Sequence, residues 1–160
     1  MGMHQVPLPA TNTTFMKRVR ACFFPAGAQT SRPISVFYRG DSLQYGRRNV
    51  LANEELMKPR GVNYVHDVIV NINYEGKNYT YRVFFRRYMT LPANQPIRNL
   101  AGPNVRMEGD LLVVGCGKRV EVRNLGGRED LLAMREAVRR MARRLSPMRP
   151  RRSIPRVMNV

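Results

Sequence analysis

The sequence is poor in the side chains on which most metal sites and disulfide frameworks depend. It has two cysteines, Cys22 and Cys116, two histidines, His4 and His66, and no tryptophan. Neither cysteine has a second cysteine or a histidine at metal-ligand spacing, so we expect neither a zinc knuckle nor a disulfide framework. Reduced thiols are the prediction, and a single Cys22–Cys116 disulfide stays open as an alternative.

The few acids and histidines also argue against an enzyme, because catalysis needs a positioned acid, base, nucleophile or metal. His66 and Asp67 are adjacent in a predicted strand. Neighbouring strand side chains point to opposite faces, so these two cannot form a dyad directly. The carboxylates are scattered, and most lie close in sequence to an arginine. We therefore expect no catalytic residues, no metal and no cofactor.

Long apolar runs and early acidic residues are missing as well. No stretch approaches the roughly 18 apolar residues of a membrane span, and we expect no secretory signal at the amino end. The first acidic residue is Asp41. An acid-free start with basic and hydroxyl residues is typical of a mitochondrial transit peptide. The prediction is an intracellular protein, or a virion component if viral, with a mitochondrial location as the runner-up.

Positive charge is what the sequence has in abundance. Lys and Arg total 28 against 11 Asp and Glu, a formal net charge of +17, and 24 of the 28 are arginine. A compact domain with this charge repels itself unless a polyanion neutralises it. The guanidinium fork suits phosphate and can also stack on bases. The composition predicts a nucleic-acid partner, although a GC-rich genome would also raise the share of arginine.

The distribution of prolines, glycines and charges predicts one folded domain with basic extended ends. A hydrophobic content of 43% is too high for a wholly disordered chain. The predicted parts are an acid-free basic arm (1–32), a single α+β domain (33–146) and an Arg/Pro-rich tail (147–160). The arm carries a basic patch followed by two phenylalanines that anchor it to the core: Lys17, Arg18, Arg20, Phe23 and Phe24. A helix is expected within residues 42–58, before Pro59.

Two alternating runs predict a β-hairpin around Glu75–Gly76. The glycine supplies the positive φ that a tight turn needs. A two-residue loop pairs an even-numbered position with an odd one, which brings six apolar side chains to one face. They are Val68, Val70, Ile72, Tyr79, Tyr81 and Val83. This face is predicted to belong to the core.

The opposite face of the hairpin mixes arginine with aromatic side chains. Arg82, Phe84 and Arg86 alternate on the second strand. A solvated face of this kind offers charge for phosphate and rings for base stacking. We predict a nucleic-acid platform here, and a second buried face with arginines at its edge is an equally weighted alternative.

A second strand pair is predicted from Leu111–Val114 and from residues 118–122, with a tight turn at Gly115–Gly117. The two glycines are too few for a dinucleotide fingerprint and wrongly spaced for a P-loop. Residues 91–104 are rich in proline, asparagine and glycine. They predict a long loop of the kind that often contacts a partner.

The last predicted element is a long amphipathic helix over residues 129–145, packed on the sheet. Its apolar repeat consists of Leu131, Met134, Val138, Met141 and Leu145. Acidic residues in the first turn and arginines in the last complement the helix dipole. The outer face and the tail predict a continuous basic strip: Arg135, Arg139, Arg140, Arg143, Arg144, Arg149, Arg151 and Arg152. Such a strip predicts strong, salt-dependent, sequence-tolerant binding, and a merely solvated face is the alternative.

Residues 112–120, with the sequence LVVGCGKRV, and the helix after them carry a family resemblance. They are similar to the strand, glycine–lysine turn, strand and terminal helix of one half of the TATA-binding protein. The resemblance covers about a quarter of the chain and implies an α+β fold. Two features depart from that family: no internal repeat is found, and Val114 stands where the family has a phenylalanine that wedges the DNA minor groove. The DNA-bending activity is therefore not implied.

Together these patterns predict a mainly antiparallel α+β domain that binds RNA or DNA through arginine. A viral nucleocapsid or virion packaging component, which self-associates into a larger particle, fits them best. A ribosomal or mitoribosomal protein would share the size and charge. A capsid-shell or matrix protein with protein partners or an anionic membrane surface is the alternative of a different class.

Overall fold

The computed structural model describes residues 16–39, 65–86, 91–118, 121–148 and 154–160. Seven strands lie in these ranges: β1 (Met16–Phe24), β2 (Arg32–Arg39), β3 (His66–Tyr74), β4 (Lys77–Phe85), β5 (Leu111–Cys116), β6 (Val122–Arg123) and β7 (Val157–Asn159). Two helices accompany them: α1 (Gln95–Ala101) and α2 (Arg128–Leu145). The predicted helix within residues 42–58 lies outside the described residues.

The described strands form one sheet in the order β2-β1-β5-β4-β3-β7, with β6 paired to the end of β5. Every neighbouring pair is antiparallel except β3 and β7. A mostly antiparallel sheet with two helices confirms the predicted α+β class.

The β3–β4 hairpin confirms the predicted turn and face. Glu75 and Gly76 have φ values of 50° and 79°, the pair of positive angles that a two-residue hairpin turn requires. Cross-strand pairs join Val68 to Val83, Val70 to Tyr81 and Ile72 to Tyr79. All but the half-buried Tyr79 are buried in the main core cluster, together with the inner face of α2.

A second, smaller cluster lies on the opposite face of the sheet. It consists of Val19, Ala21, Phe23, Val36, Phe84, Leu112, Val114 and Val122. Val114, which stands where the TATA-binding protein family has its wedging phenylalanine, is fully buried in this cluster. The central strands are therefore buried on both faces, which explains why all six residues of β5 are buried.

The predicted boundary at residue 32 is wrong, because β1 is an integral strand of the sheet. It pairs with β2 along eight residues and with β5 through Cys22, Phe23 and Phe24. Phe24 enters the main cluster and Phe23 the smaller one. Successive side chains of this segment enter the two clusters in turn, which is the period-two alternation of a strand buried on both faces. The basic residues among them interrupt the apolar pattern in the sequence, so the strand was not predicted.

The predicted long loop at 91–104 is also wrong, because its middle forms α1. Asn94 caps the helix by accepting a hydrogen bond from the Ile97 amide, and Pro96 occupies the first turn, where proline is tolerated. The buried Asn94 amide also donates to the carbonyls of Phe24 and Gly109. One polar side chain thus joins α1, β1 and the segment before β5.

The second predicted strand pair exists, but its turn lies later in the chain. β5 continues through Gly115 and Cys116, which pair with Arg123 and Val122. The Gly117 amide donates to the Glu121 carbonyl across the connection. The predicted turn at Gly115–Gly117 is therefore wrong, because Gly115 and Cys116 belong to β5.

Helix α2 begins one residue earlier than predicted, and its buried side is wider. Met134, Val138, Met141 and Leu145 are buried as predicted. Leu131, however, is 42% exposed. Ala133, Ala137 and Ala142 complete the buried side instead, since small side chains let the helix lie close to the sheet.

The end of the predicted tail belongs to the sheet. Residues 157–159 form β7, which pairs parallel to β3, and Met158 is buried in the main cluster. The tail prediction is wrong for these residues, because a three-residue strand with one apolar anchor gives almost no periodic signal in the sequence. No helix in the described ranges is long and apolar enough to cross a membrane.

Candidate nucleic-acid interface

The described arginines differ in what their guanidinium groups contact. In seven of them the guanidinium donates a hydrogen bond to an oxygen of the protein. We call these the tethered arginines: Arg82, Arg98, Arg123, Arg139, Arg140, Arg143 and Arg144. Of the others, Arg86 is buried, exposed arginines such as Arg106 and Arg156 lie elsewhere, and four exposed arginines lie on β1 and α2.

One partly buried tether joins Arg123 to Asp130. The guanidinium lies 2.6 Å from Asp130 Oδ2, and the same carboxylate accepts from the Tyr81 hydroxyl and the Gly126 amide. Burial alone would raise the pKa of Asp130, but these hydrogen bonds outweigh burial and lower it. Burial and the Asp130 contact raise the pKa of Tyr81 far above its usual value. This network joins β4, β6 and α2, so Arg123 serves the fold.

Glu136 tethers two arginines of the predicted basic strip. Its carboxylate accepts from Arg139 Nε at 2.7 Å and from Arg140 Nε at 2.6 Å. These contacts, that of Arg139 first, hold the pKa of Glu136 at about 2. The carboxylate is therefore ionised throughout the neutral range and cancels part of the charge on this side of α2.

The next two arginines of the strip donate hydrogen bonds to backbone carbonyls. Arg143 Nε donates to the Ala101 carbonyl at the end of α1, and Arg144 Nη1 donates to the Asn159 carbonyl of β7. Arg149, Arg151 and Arg152 lie outside the described residues. The described part of the strip is thus occupied by intramolecular contacts except at Arg135.

The exposed group begins on β1. Backbone alternation puts Arg18 and Arg20 on the same face of the strand as Cys22 and Phe24, which pack in the main cluster beneath α2. The two arginines lie farther along β1, past the part that α2 covers, and both are exposed. Hydrogen bonds from Leu125 to the Arg20 carbonyl and from Arg20 to the Asn124 side chain fix β1 against the chain leading into α2.

Helix α2 brings two further arginines to the same place. Arg128 and Arg135 are exposed and seven residues apart, which puts them on one side of the helix about 10 Å from each other. Burial raises the pKa of the Cys22 thiol on β1, and the positive charge of Arg135 partly opposes that effect. The Arg20 guanidinium lies close to Gly126, just before the helix begins: a Cβ atom placed on Gly126 would be 3.4 Å from Arg20 Nη2.

We call Arg18, Arg20, Arg128 and Arg135 the β1 patch. None of the five ion pairs among the described residues includes any of them. Four exposed guanidinium groups on a strand face and the adjoining helix flank create a positive potential in the angle between the two elements. Such a surface is suited to phosphate groups, which accept two hydrogen bonds from each guanidinium.

The predicted stacking platform on β4 is not an open surface. Phe84 is only 8% exposed and belongs to the smaller cluster, and Arg86 is equally buried. Arg82 lies over the Phe84 ring and donates two hydrogen bonds to Asp67. The second buried face is therefore the alternative that the structure shows, because the ring that was expected to stack on bases packs among the apolar side chains of the smaller cluster.

The cysteines are free and buried, and the alternative of a disulfide between them is wrong. Cys22 lies opposite Val113, three residues along β5 from Cys116. Three residues of strand separate the two Cα positions by about 10 Å, beyond the reach of a disulfide. Burial raises the pKa of both thiols, that of Cys116 to about 11. In the described ranges no three His, Cys, Asp or Glu side chains come together as a metal site.

Sequence reasoning identified three members of the β1 patch and missed the fourth. Arg18, Arg20 and Arg135 were predicted, although in two separate regions, and Lys17 lies beside them in β1. Arg128 was missed because the helix was expected to begin one residue later. Its spacing of seven residues from Arg135 was the available signal.

The chain matches no protein-family model, no curated protein and no solved structure. The resemblance to one half of the TATA-binding protein is neither supported nor contradicted by these comparisons and stays a prediction. The function therefore has to be argued from the geometry and the charge.

Proposed function

We propose that this chain binds nucleic acid as a structural or packaging component, with the β1 patch as its main phosphate-binding surface. The observation that carries the proposal is the gathering of Arg18, Arg20, Arg128 and Arg135 with no ion-pair partner among the described residues. Like charges this close repel one another, so the arrangement is stabilised when phosphates lie between them.

The charge of the whole chain favours a long polyanion over a small ligand. A net charge of +17 is far larger than the charge of a single phosphate group. Arg149, Arg151 and Arg152, outside the described residues, add positive charge between α2 and β7 along the chain. Neutralising phosphates at several points releases counterions, which makes affinity strong at low salt and weak at high salt.

The test compares two double variants with equal loss of charge. Arg20→Gln/Arg135→Gln removes half of the β1 patch, whereas Arg98→Gln/Arg144→Gln removes two tethered arginines elsewhere. Full-length proteins freed of co-purifying nucleic acid are titrated with single-stranded RNA and duplex DNA across a range of salt. We expect the patch variant to lose about 10- to 100-fold in affinity, with a salt slope shallower by about 1.4 to 1.8. The control variant should lose much less.

Two results would overturn the proposal. Equal losses in the two variants would show that only net charge matters, and absence of wild-type binding at physiological salt would reject nucleic acid as the partner. Anionic vesicles provide the arm for the membrane alternative. Light scattering with and without RNA tests packaging, because a shell protein assembles alone whereas a packaging protein needs the polyanion.

A further inference from the structure

Glu136 lies in the middle of the exposed side of α2, between arginines on both sides. It is one of three acidic residues in the helix, and the other two, Glu129 and Asp130, occupy the first turn. Arg135 precedes Glu136, and Arg139, Arg140 and Arg143 follow it. The carboxylate therefore interrupts what would otherwise be a continuous basic surface from the β1 patch to the end of the helix.

The contacts of Glu136 use the hydrogen-bonding edge that a guanidinium presents to phosphate. Arg139 binds the carboxylate with two nitrogens, Nε to Oε2 and Nη2 to Oε1. Arg140 Nε binds Oε1 as well. A carboxylate in this bidentate geometry occupies the donors with which arginine would hold a phosphate oxygen pair.

The fold itself has little need of these contacts. Pairs at i,i+3 and i,i+4 on a helix surface contribute little to stability, and α2 is already held by its buried side. Arg140 is close to half exposed, and its side chain reaches no other protein oxygen among the described residues. The main effect of Glu136 is therefore on the charge that the surface presents.

We propose that Glu136 is an internal competitor for phosphate that keeps Arg139 and Arg140 out of the nucleic-acid interface. This inference rests on the proposed function. It assigns Glu136 the role of limiting affinity and the number of phosphates that one protein neutralises. A chain that must release nucleic acid as well as bind it is served by such a limit, because each phosphate contact removed makes binding weaker and less dependent on salt.

The experiment compares Glu136→Gln with Glu75→Gln in the full-length protein. Both variants raise the net charge by one, but Glu75 lies in the exposed β3–β4 turn, which meets only the amino end of α2 through the Lys77–Glu129 pair, and it forms no ion pair with Arg139 or Arg140. For Glu136→Gln we expect tighter binding to single-stranded RNA and duplex DNA by about tenfold, with a salt slope steeper by roughly 0.7 to 1.8. Glu75→Gln should change both quantities much less. Equal effects of the two substitutions would overturn the inference.

A double-mutant cycle tests whether Glu136 acts through its two arginines. Glu136→Gln is repeated in an Arg139→Gln/Arg140→Gln background, where the gain in affinity should disappear. A gain that persists there would show a general charge effect and overturn the inference. The proposed function fails in a different way: wild-type protein would not bind, and binding by Glu136→Gln alone would still support internal competition. Absence of binding by both proteins would overturn both proposals.

Discussion

Arg123, which pairs with the first turn of α2, and Arg135, which is exposed on the same helix, illustrate two uses of the same residue type. Arg123 is held by a carboxylate that also binds Tyr81 and the Gly126 amide. Arg135 is exposed and has no ion-pair partner among the described residues. The comparison teaches that the number of arginines overstates the charge available to a partner, because a good part of it stabilises the fold.

The sharpest way to break this comparison is to remove the partner of Arg123. Asp130→Asn should lower the free energy of unfolding by about 2–3 kcal/mol, because it removes the negative charge and one of the two carboxylate oxygens that bind the partly buried Arg123 guanidinium. Urea denaturation measures the change. Glu129→Gln is the matched control. The Glu129 carboxylate is adjacent in sequence to Asp130, but it pairs with Lys77 at the surface, where both side chains are 66% exposed. Equal losses in the two variants would contradict the assignment of Arg123 to the fold.

The same network predicts how stability responds to acid. The pKa of Asp130 is lowered in the folded protein. Its contribution is therefore complete above the unfolded carboxyl pKa of about 4 and is lost as the pH falls through the folded pKa. Between about pH 6 and pH 2, the free energy of unfolding of Asp130→Asn should fall less steeply than that of the wild type. Parallel curves for the two proteins would show that Asp130 titrates alike in both states.

A smaller effect on stability is expected in β7, the strand whose Asn159 carbonyl accepts a hydrogen bond from Arg144. Met158→Ala should destabilise the protein by about 2 kcal/mol, since the side chain is only 3% exposed. Val157→Ala, at a neighbouring residue that is 50% exposed, is the control and should change stability little. Chemical denaturation distinguishes them, and no loss for Met158→Ala would mean that β7 is not held in solution.

The smallest effect on stability is expected at Arg135. Arg135→Gln should leave the urea midpoint nearly unchanged, because exposed charges contribute little to folding. In the same protein the salt slope for nucleic-acid binding should become shallower by about 0.7 to 0.9, the value for one phosphate contact. Arg123→Gln should show the reverse pattern, with clear destabilisation. Destabilisation by Arg135→Gln would place this arginine among those that serve the fold.

Local patterns predicted the elements whose side chains alternate within one segment. The β3–β4 hairpin was predicted with the correct face because its turn, register and burial all follow from adjacent residues. Four of the five apolar positions named for α2 are buried for the same reason. Leu131 departs from the pattern because it lies three residues after Arg128 and four before Arg135, on the side of the helix where both arginines are exposed.

Contacts between distant residues decided what was missed. In sequence β1 looks like a basic arm, but in the fold Phe23 and Phe24 pair with Leu112 and Leu111, which lie 89 and 87 positions later in the chain. Asn94 caps α1 while also binding Phe24, a contact that no local pattern in residues 91–104 reveals. The predicted platform failed at Phe84 because β1 and β5 supply the apolar neighbours that bury it.

The sequence by itself determined the class of the fold, the hairpin, the last helix and a large positive charge, because periodicity and composition are properties of the chain alone. Only the tertiary structure decided which arginines are tethered and which are open. Whether a guanidinium is tethered depends on acceptor oxygens that other elements of the fold supply. The carbonyls of Ala101 and Asn159, for example, accept hydrogen bonds from Arg143 and Arg144. The β1 patch arises in the same way, since β1 and α2 lie more than a hundred residues apart in sequence and meet only when the sheet has formed.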